Sequence, residues 1–509
     1  EARRIAVDAG VPVIPGFDAD QADERLRSAA DDIGFPVLIK ASAGGGGKGI
    51  RVVTGPTEFD EALQASRHEA LRSFGDDRVI VERYVDRPRH IEVQVMGDRL
   101  GNVVSLGTRE CSVQRRYQKL MEEAPAPNLP PEVEHAMESA AVSLARRIGY
   151  DSAGTVEFVV DAESADFYFL EMNTRLQVEH PVTEYVTGLD LVELQIRAAS
   201  GEALDFDGAR PTGHAFEARI NAEDPAAGFA PQIGTVTDLV VPADVRWESG
   251  VEVGSEITPF FDPMLAKLIV GGPDRDTARR LLATALDGLL IGGVRTNAGF
   301  HRWLVDHPAM VDGRVTTRFL DETEIPVGFE ESEAAIVAAA AWVAEPTDDD
   351  GGPWGRLGRV RFTPHVGRRT IHLLGQDDTH DVDLAPEVPL PAVFVVDRAH
   401  RRVVVAEGGH SHTFCVLTRT ERWAPASSVS HAAASAIVSP FPGVVAEVRV
   451  EPGLEVQPGQ TVVVIEAMKM LHPLTAPGGG VVAEVRTGVG ETVAGGQVLV
   501  TFESGGEER

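Results

Sequence analysis

From Glu1 to about residue 325, short β-branched runs alternate with segments of helical period, which predicts mixed α and β structure. Pro36–Lys40, Ile50–Val53 and Arg78–Val81 read as strands. Between the last two, Phe59, Ala62, Leu63, Ala70 and Leu71 recur at helical spacing, with Ser66 the one polar residue on that face. Thr57 stands where an N-cap belongs, ahead of Asp60, and the predicted helix covers 57–73. A second helix is predicted over 131–148 and an alanine-rich one over 331–345, the latter stopped by the polar, breaker-rich run 347–353. Beyond it the pattern turns to β, with strands at Val360–Phe362, Thr370–Leu374, Val393–Val396, Arg402–Val405 and Thr413–Leu417. Residues 424–436 are rich in Ala and Ser and lack an apolar period, the composition of a linker.

The last 70 residues contain a repeat: Gly443-Val-Val-Ala-Glu-Val-Arg449 returns unchanged as Gly480-Val-Val-Ala-Glu-Val-Arg486, 37 positions later. The same offset relates Gly453 to Gly490, Val456 to Val493, Gly459 to Gly496 and Gln460 to Gln497. Two copies of one small β unit predict a pseudo-twofold sandwich, with Glu466-Ala-Met-Lys-Met470 near the turn between them. Methionines beside a turn lysine point to a contact made at that tip.

A second alternation runs from Leu170 to Glu179. If extended, it puts Glu171, Asn173, Arg175, Gln177 and Glu179 on one face, with Leu170, Met172, Leu176 and Val178 on the other. The preceding run 154–160 reads as its partner strand, and a hairpin turning near Ser164 sets Glu157 opposite Glu171. Carboxylates opposed on one sheet face repel unless a cation lies between them, and an Asn beside them completes a hard oxygen set suited to Mg²⁺ held with nucleotide phosphates.

At 509 residues the chain is long enough for about three domains. Its formal net charge of −31 argues against general nucleic-acid or anionic-membrane binding, because phosphate would be repelled. No apolar run approaches the ~20 residues of a membrane helix. Two cysteines are too few for a disulfide framework or a cysteine zinc site, which predicts a cytoplasmic protein. Of the 47 basic residues five are lysines (Lys40, Lys48, Lys119, Lys267 and Lys469), so the positions where arginine would not serve form a short list. The chain starts at Glu1, without Met, in helix-like sequence, and is expected to be a fragment of a longer protein. The four glycines Gly44, Gly45, Gly46 and Gly47, with Lys48, follow an apolar strand; such backbone can close over phosphate oxygens, although the spacing fits neither a Walker loop nor a dinucleotide fingerprint.

The string around Lys469 resembles the biotinylation motif of biotinyl carrier domains rather than the lipoyl one. Ser439-Pro-Phe-Pro-Gly443 resembles their entry segment, with Phe441 where Met is usual. The glycine loop followed by an acidic hairpin resembles the ATP-grasp family. The strings Arg89-His-Ile-Glu-Val-Gln94, Cys111-Ser-Val-Gln-Arg-Arg116, Glu171-Met-Asn-Thr-Arg-Leu-Gln-Val-Glu-His-Pro181 and Val245-Arg-Trp-Glu-Ser249 narrow it to biotin carboxylase. The whole resembles the α subunit of a biotin-dependent acyl-CoA carboxylase lacking the family's N-terminal lobe of about a hundred residues.

This resemblance implies a multidomain α+β protein: an ATP-grasp lid region (1–85), a biotin carboxylase core and C-terminal part (86–328), a helix plus β-rich subunit-docking domain (329–423), a linker (424–436) and a pseudo-twofold carrier sandwich (437–504). It also implies ATP- and bicarbonate-dependent carboxylation of biotin through carboxyphosphate. Lys469 would carry biotin. Lys40 and Gly44, Gly45, Gly46 and Gly47 would hold ATP phosphates, with Glu82, His90 and Gln114 near adenine and ribose. Glu157, Glu171 and Asn173 would coordinate Mg²⁺ or Mn²⁺. Arg175, Gln177 and the Val178 backbone would hold bicarbonate, with Glu179 its base, Lys119 stabilising the phosphate leaving group and Arg246 facing the biotin ureido oxygen. Implied partners are a carboxyltransferase β subunit in a hetero-oligomer, and biotin protein ligase. Tyr117 stands where many carboxylases have His, which resembles enzymes of longer or branched acyl-CoAs. Cys111 reads as a packed residue, since this chemistry needs no thiol. Competing readings are a catalytically inactive biotinylated carrier, the α subunit of another biotin-dependent carboxylase, and a lipoyl carrier.

Overall fold

A computed structural model describes residues 2–42, 50–204, 210–326, 332–344, 369–375, 379–384, 394–397, 401–418, 436–468 and 470–502. The Gly44–Gly47 loop with Lys48, the breaker run 347–353, the expected strand Val360–Phe362, residues 424–435 of the expected linker, and Lys469 lie outside them. The chain forms two compact units: Glu1–Arg219 with Ile269–Leu282 and Val305–Glu324, and Ile220–Leu268 with Ala283–Leu304 and Ile325–Arg509.

The first unit begins with a four-stranded sheet in the order Gly16–Phe17, Val79–Arg83, Val37–Ala41, Arg51–Val53. Helices Asp23–Ile33 and Phe59–Phe74 place Leu26, Phe59 and Leu63 on the core with Ile39 and Val81. Thr57 is not the cap of the second helix. It falls in the preceding turn, where Glu58 is already helical and its carboxylate accepts from Thr54 N–H and Oγ1.

The unit's larger sheet is antiparallel and runs His214–Asn221, Gln118–Ala124, Val103–Arg115, Pro88–Gly97, Ala153–Asp161, Phe167–Asn173. Period-2 alternation gives it two unlike buried faces. Ile91, Val93, Val95, Val156 and Phe158 pack against Met137, Ala141 and Leu144 of helix Pro131–Arg147. The opposite faces of the same strands carry Glu92, Gln94 and Glu157, also buried.

Glu157 does pair with Glu171 in the ladder. The next pair is Phe158 with Phe169, so Leu170 is bulged out and 40% exposed while Phe169 is 6% exposed. The predicted extension to Glu179 fails for the same stretch. The strand ends at Asn173, and Glu179 is the N-cap of helix His180–Thr187, whose start is favoured by Pro181 in its first turn. Gln177 and Glu179 are consequently turned inward, 5% and 2% exposed.

Strand Arg246–Ser249 of the second unit lies beside Met264–Gly272, of which residues 264–268 belong to that unit, and Asp238–Val240 pairs with Leu290–Gly292. A five-stranded sheet follows, ordered Thr379–Leu384, Arg369–Leu374, His410–Leu417, Arg402–Glu407, Phe394–Asp397, which matches the four predicted strands within the described residues and adds one. Helix Glu333–Ala344 covers it, with Ala335, Ala339 and Ala340 against Leu373, Val405 and Phe414. This sheet is bound to the 234–299 region by a bidentate ion pair, Arg402 to Asp238 at 2.7 and 3.1 Å, and by Ile291 N–H donating to Ser411 Oγ at 3.0 Å. The fit is close at Gly299, where a Cβ would come within 1.9 Å of His410 Cε1.

The carrier is a sandwich of two four-stranded sheets, and the repeated heptapeptides supply equivalent strands, Gly443–Val448 and Gly480–Val485, one to each. Val445 and Val482, and Val456 and Val493, are all 1% exposed. Gly453 and Gly490 share φ values of 89° and 86°, so the repeat preserves a left-handed turn as well as core positions. Among the described residues no helix is long and apolar enough to cross a membrane.

Candidate active site

The polar face of the larger sheet converges on Lys119. Its Nζ lies 2.6 Å from Glu92, 3.1 Å from Glu157 and 2.5 Å from Glu179, and the side chain is 10% exposed. Burial opposes the ammonium, but the surrounding carboxylates outweigh it and hold its pKa well above the ordinary lysine value. Lysine enters this position from the tight hairpin after Arg115, where Arg116 and Tyr117 both take positive φ, and it pairs with Gln114 across the ladder. Tyr117 at the tip is 60% exposed.

Glu157 is the junction of the cluster. One of its oxygens accepts from Lys119 Nζ, from Asn173 Nδ2 at 3.0 Å and from Gln177 Nε2 at 2.9 Å; the other lies 3.0 Å from His90 Nε2. Burial pushes its pKa up, and the His90, Lys119 and Gln177 contacts override this to bring it down to about 2. Asn173 Nδ2 also reaches Glu171 at 3.3 Å, so the two carboxylates opposed in the ladder are bridged by one amide. Arg175 donates to Asn173 Oδ1 at 3.1 Å from an exposed position.

Glu179 accepts from Lys119 on one oxygen and from Arg219 at 3.0 Å on the other. Burial raises its pKa, but Lys119, Arg219 and Arg109 together hold it far below the carboxylate range. Arg219 donates as well to Glu122 at 2.6 Å, whose pKa burial pushes up to about 7 against the pull of that arginine, with Glu179 adding to the rise.

Lys40 and Glu82 form a separate pair, Nζ to Oε2 at 2.5 Å, and Arg3 contacts the other Glu82 oxygen. Gln114 is buried. In the second unit, Arg246 contacts Glu248, which also pairs with Lys267 Nζ at 2.6 Å, so Lys267 has a partner that its sequence context did not indicate.

Sequence reasoning missed Glu92, Arg109, Glu122 and Arg219. Arg109 is fully buried, and its five N–H donors are satisfied by Glu92, Gln94, Thr183, Thr155 and Gln177. The available signal was alternation: on the strand that carries His90, the residues two and four further on are Glu92 and Gln94. Cys111 is fully buried and its thiol is pushed well up by burial, which keeps it neutral.

A small four-stranded sheet under two helices, a buried lysine–carboxylate cluster and a pseudo-twofold carrier sandwich define the class: an ATP-grasp biotin carboxylase joined to a biotin-attachment domain. Family profiles agree. Residues 1–206 match the carbamoyl-phosphate synthase L chain ATP binding domain, 217–322 the biotin carboxylase C-terminal domain, and 435–502 the biotin-requiring enzyme domain. The chain is 39% identical to the methylcrotonoyl-CoA carboxylase subunit alpha of Oryza sativa subsp. japonica, over 93% of its own length and 75% of that relative. It is also 39% identical to the propionyl-CoA carboxylase alpha chain of Ruegeria pomeroyi, over 93% and 79%. A biotin carboxylase complex from Campylobacter jejuni matches at TM-score 0.61 and 43% identity, covering 63% of this chain and 73% of that one. The biotin carboxylase domain of Hydrogenobacter thermophilus 2-oxoglutarate carboxylase, solved with MgADP and bicarbonate, matches at 0.59 and 45%, covering 63% and 72%. The chain belongs to the family of biotin-dependent acyl-CoA carboxylase α subunits.

Proposed function

We propose that this chain carboxylates biotin on its own carrier domain at the expense of ATP and bicarbonate, the first half-reaction of an acyl-CoA carboxylase. The observation that carries the reading is the ammonium of Lys119 set among Glu92, Glu157 and Glu179. Bicarbonate is a weak nucleophile. Glu179, fully ionised, accepts its proton as a bicarbonate oxygen forms a bond to the γ-phosphorus of ATP and ADP leaves. Its low pKa is set by Lys119 and Arg219, so its basicity rises when a phosphate oxyanion draws Lys119 away. Arg175, Gln177 and the Val178 backbone hold bicarbonate. Lys40, with Gly44–Gly47, holds the phosphates, and Glu82, His90 and Gln114 lie toward adenine and ribose.

Glu157, Glu171 and Asn173 are the residues that would hold Mg²⁺ or Mn²⁺. Their chemistry fits it: an ionised carboxylate and a second one are joined here by the Asn173 Nδ2, and a turn of that amide would exchange the nitrogen for Oδ1, which accepts from Arg175 in this arrangement, and complete a set of hard oxygens. The metal supplies neutralisation of charge at the phosphates. Carboxyphosphate then divides into CO₂ and phosphate, phosphate takes the ureido N–H proton, Arg246 stabilises the resulting ureido oxyanion, and nitrogen bonds to CO₂. Glu248, itself paired with Lys267, holds Arg246. The 329–423 region docks a carboxyltransferase β subunit, which receives the carboxyl group and selects the acyl-CoA, and biotin protein ligase modifies Lys469.

The test is ATP hydrolysis that depends on bicarbonate and free biotin. Lys469→Arg abolishes biotin attachment, read by intact mass, and leaves free-biotin carboxylation in place. Loss of both activities contradicts the division of labour, and absence of bicarbonate-dependent hydrolysis in the parent assigns the chain to the carrier class instead.

A further inference from the structure

The tip of the carrier hairpin does not stand free. Sequence pattern places Met468 at an exposed turn beside Lys469, yet Met468 is 1% exposed and is not among the residues of the carrier's apolar core. Its backbone N–H donates to Pro259 O at 2.9 Å, with Met468 itself at φ 50°. Pro259 lies in the turn that leads from Glu256–Ile257 into strand Met264–Gly272, within the carboxylase portion of the same unit. A second contact is independent of the first: Ala230, on the small Glu223–Asp224 and Ala230–Pro231 hairpin, packs against the carrier's core cluster. The two contact points are tied together, since Ala222 N–H donates to Pro263 O and Gln232 N–H donates to Ala222 O, each at 2.8 Å. The turn's exit strand carries Lys267 and lies beside the strand of Arg246.

We propose that the 258–263 turn and Ala230 form a seat for the biotinyl hairpin on the carboxylase part of its own chain, from which Lys469 is loaded in cis. The seat accounts for the burial of Met468, a residue outside the carrier's apolar core cluster. It also fixes the register of the tip, because the bond is made by the residue directly before the attachment lysine. A tethered carrier gains in local concentration from its linker, and a seat adds orientation at the place where it is needed. The inference rests on the reading of Lys469 as the biotin-bearing residue.

Hydrogen exchange of the Met468 amide in the full chain reads the seat without any activity. The amide is expected to be protected about tenfold or more in the parent. Ala230→Arg, which thrusts a long cation at the carrier core, is expected to cancel that protection. It should also slow carboxylation of attached biotin about tenfold, equivalent to roughly 1.4 kcal/mol of docking free energy, while free-biotin carboxylation is retained. Should that variant unfold its hairpin, seen as lost protection at Ala222, Phe260→Glu replaces it. Phe260 is 69% exposed and adjoins Pro259, whose carbonyl receives the Met468 amide, so the substitution puts a charge at the seat itself. A Met468 amide that exchanges freely in the parent overturns the proposal, as does lost protection with an unchanged rate of carrier carboxylation. An unmodified Lys469, or no free-biotin activity, strikes at the functional reading while exchange at Met468 still decides the seat.

Discussion

Replacing Lys119 by methionine keeps the reach of the side chain and deletes its charge, which leaves Glu92, Glu157 and Glu179 around an apolar chain. All three carboxylates are buried and lie within 3.1 Å of the ammonium, so none can turn to water without moving the sheet. Removing one partner of a buried pair costs about 3–5 kcal/mol. A second route gives a similar figure. Glu157 is held at about 2 against an ordinary 4.5, a stabilisation of about 3 kcal/mol at neutral pH, with Lys119 among its causes after His90. A loss near 3 kcal/mol in a unit of this size lowers Tm by about 6–12 °C. The sign of the pH dependence follows from the low carboxyl. Its stabilisation is present above the ordinary carboxylate pKa and is lost as pH falls toward about 2, so a variant whose carboxylates bind protons more readily recovers on acidification. Thermal unfolding by circular dichroism, in chelator, is therefore expected to show the widest gap between Lys119→Met and parent near pH 8 and a narrower one near pH 5. A variant as stable as the parent at the higher pH, or a gap that widens on acidification, refutes the reasoning.

Glu122 carries the opposite sign. With burial raising its pKa to about 7, the folded state holds a proton that the unfolded chain has released, so this contribution is lost as pH rises from about 4.5 to 7. Glu122→Gln is expected to gain stability relative to the parent over that window, by up to about 3 kcal/mol, and urea unfolding at both ends checks it. In the second unit, Arg402→Met strands the Asp238 carboxylate, 7% exposed at its side chain, and is expected to cost about 3 kcal/mol. The pair Arg402→Met with Asp238→Leu should recover most of that loss in the same measurement; a double variant as unstable as the single one would show that the damage is to packing rather than to charge.

What was legible in the sequence was whatever leaves a local period. The carrier's symmetry came from a 37-residue offset, and the structure places Val445 with Val482 and Gly453 with Gly490 in equivalent environments. The pairing of Glu157 with Glu171 followed from two alternating runs and a turn, and it is present in the ladder. The same period misled one step later. A bulge at Leu170 and a helix opened by Pro181 end the strand at Asn173, and neither changes the alternation of polar residues on which the longer strand was predicted. Arg109 was out of reach because its partners come from four other stretches of chain, at Glu92 and Gln94, Thr155, Gln177 and Thr183, and their convergence is a property of sheet order rather than of any window.

The scarcity of lysine takes on a different meaning beside these contacts. The three lysines within the described residues each lie against a glutamate, Lys40 with Glu82 at 2.5 Å, Lys119 with Glu92, Glu157 and Glu179, and Lys267 with Glu248 at 2.6 Å. In a chain of net charge −31 a polyanionic nucleotide approaches against the overall field, and the lysines proposed to receive it are already engaged. On the proposed function, phosphate competes with carboxylates for Lys40 and Lys119 instead of meeting free charge. A compact ammonium suits that exchange better than a guanidinium, because it moves between oxygens as a point charge, whereas Arg109 and Arg219 are fixed by directed forks to several partners. On the proposed function, then, Arg109 and Arg219 make the contacts that stay and Lys40 and Lys119 the ones that are given up.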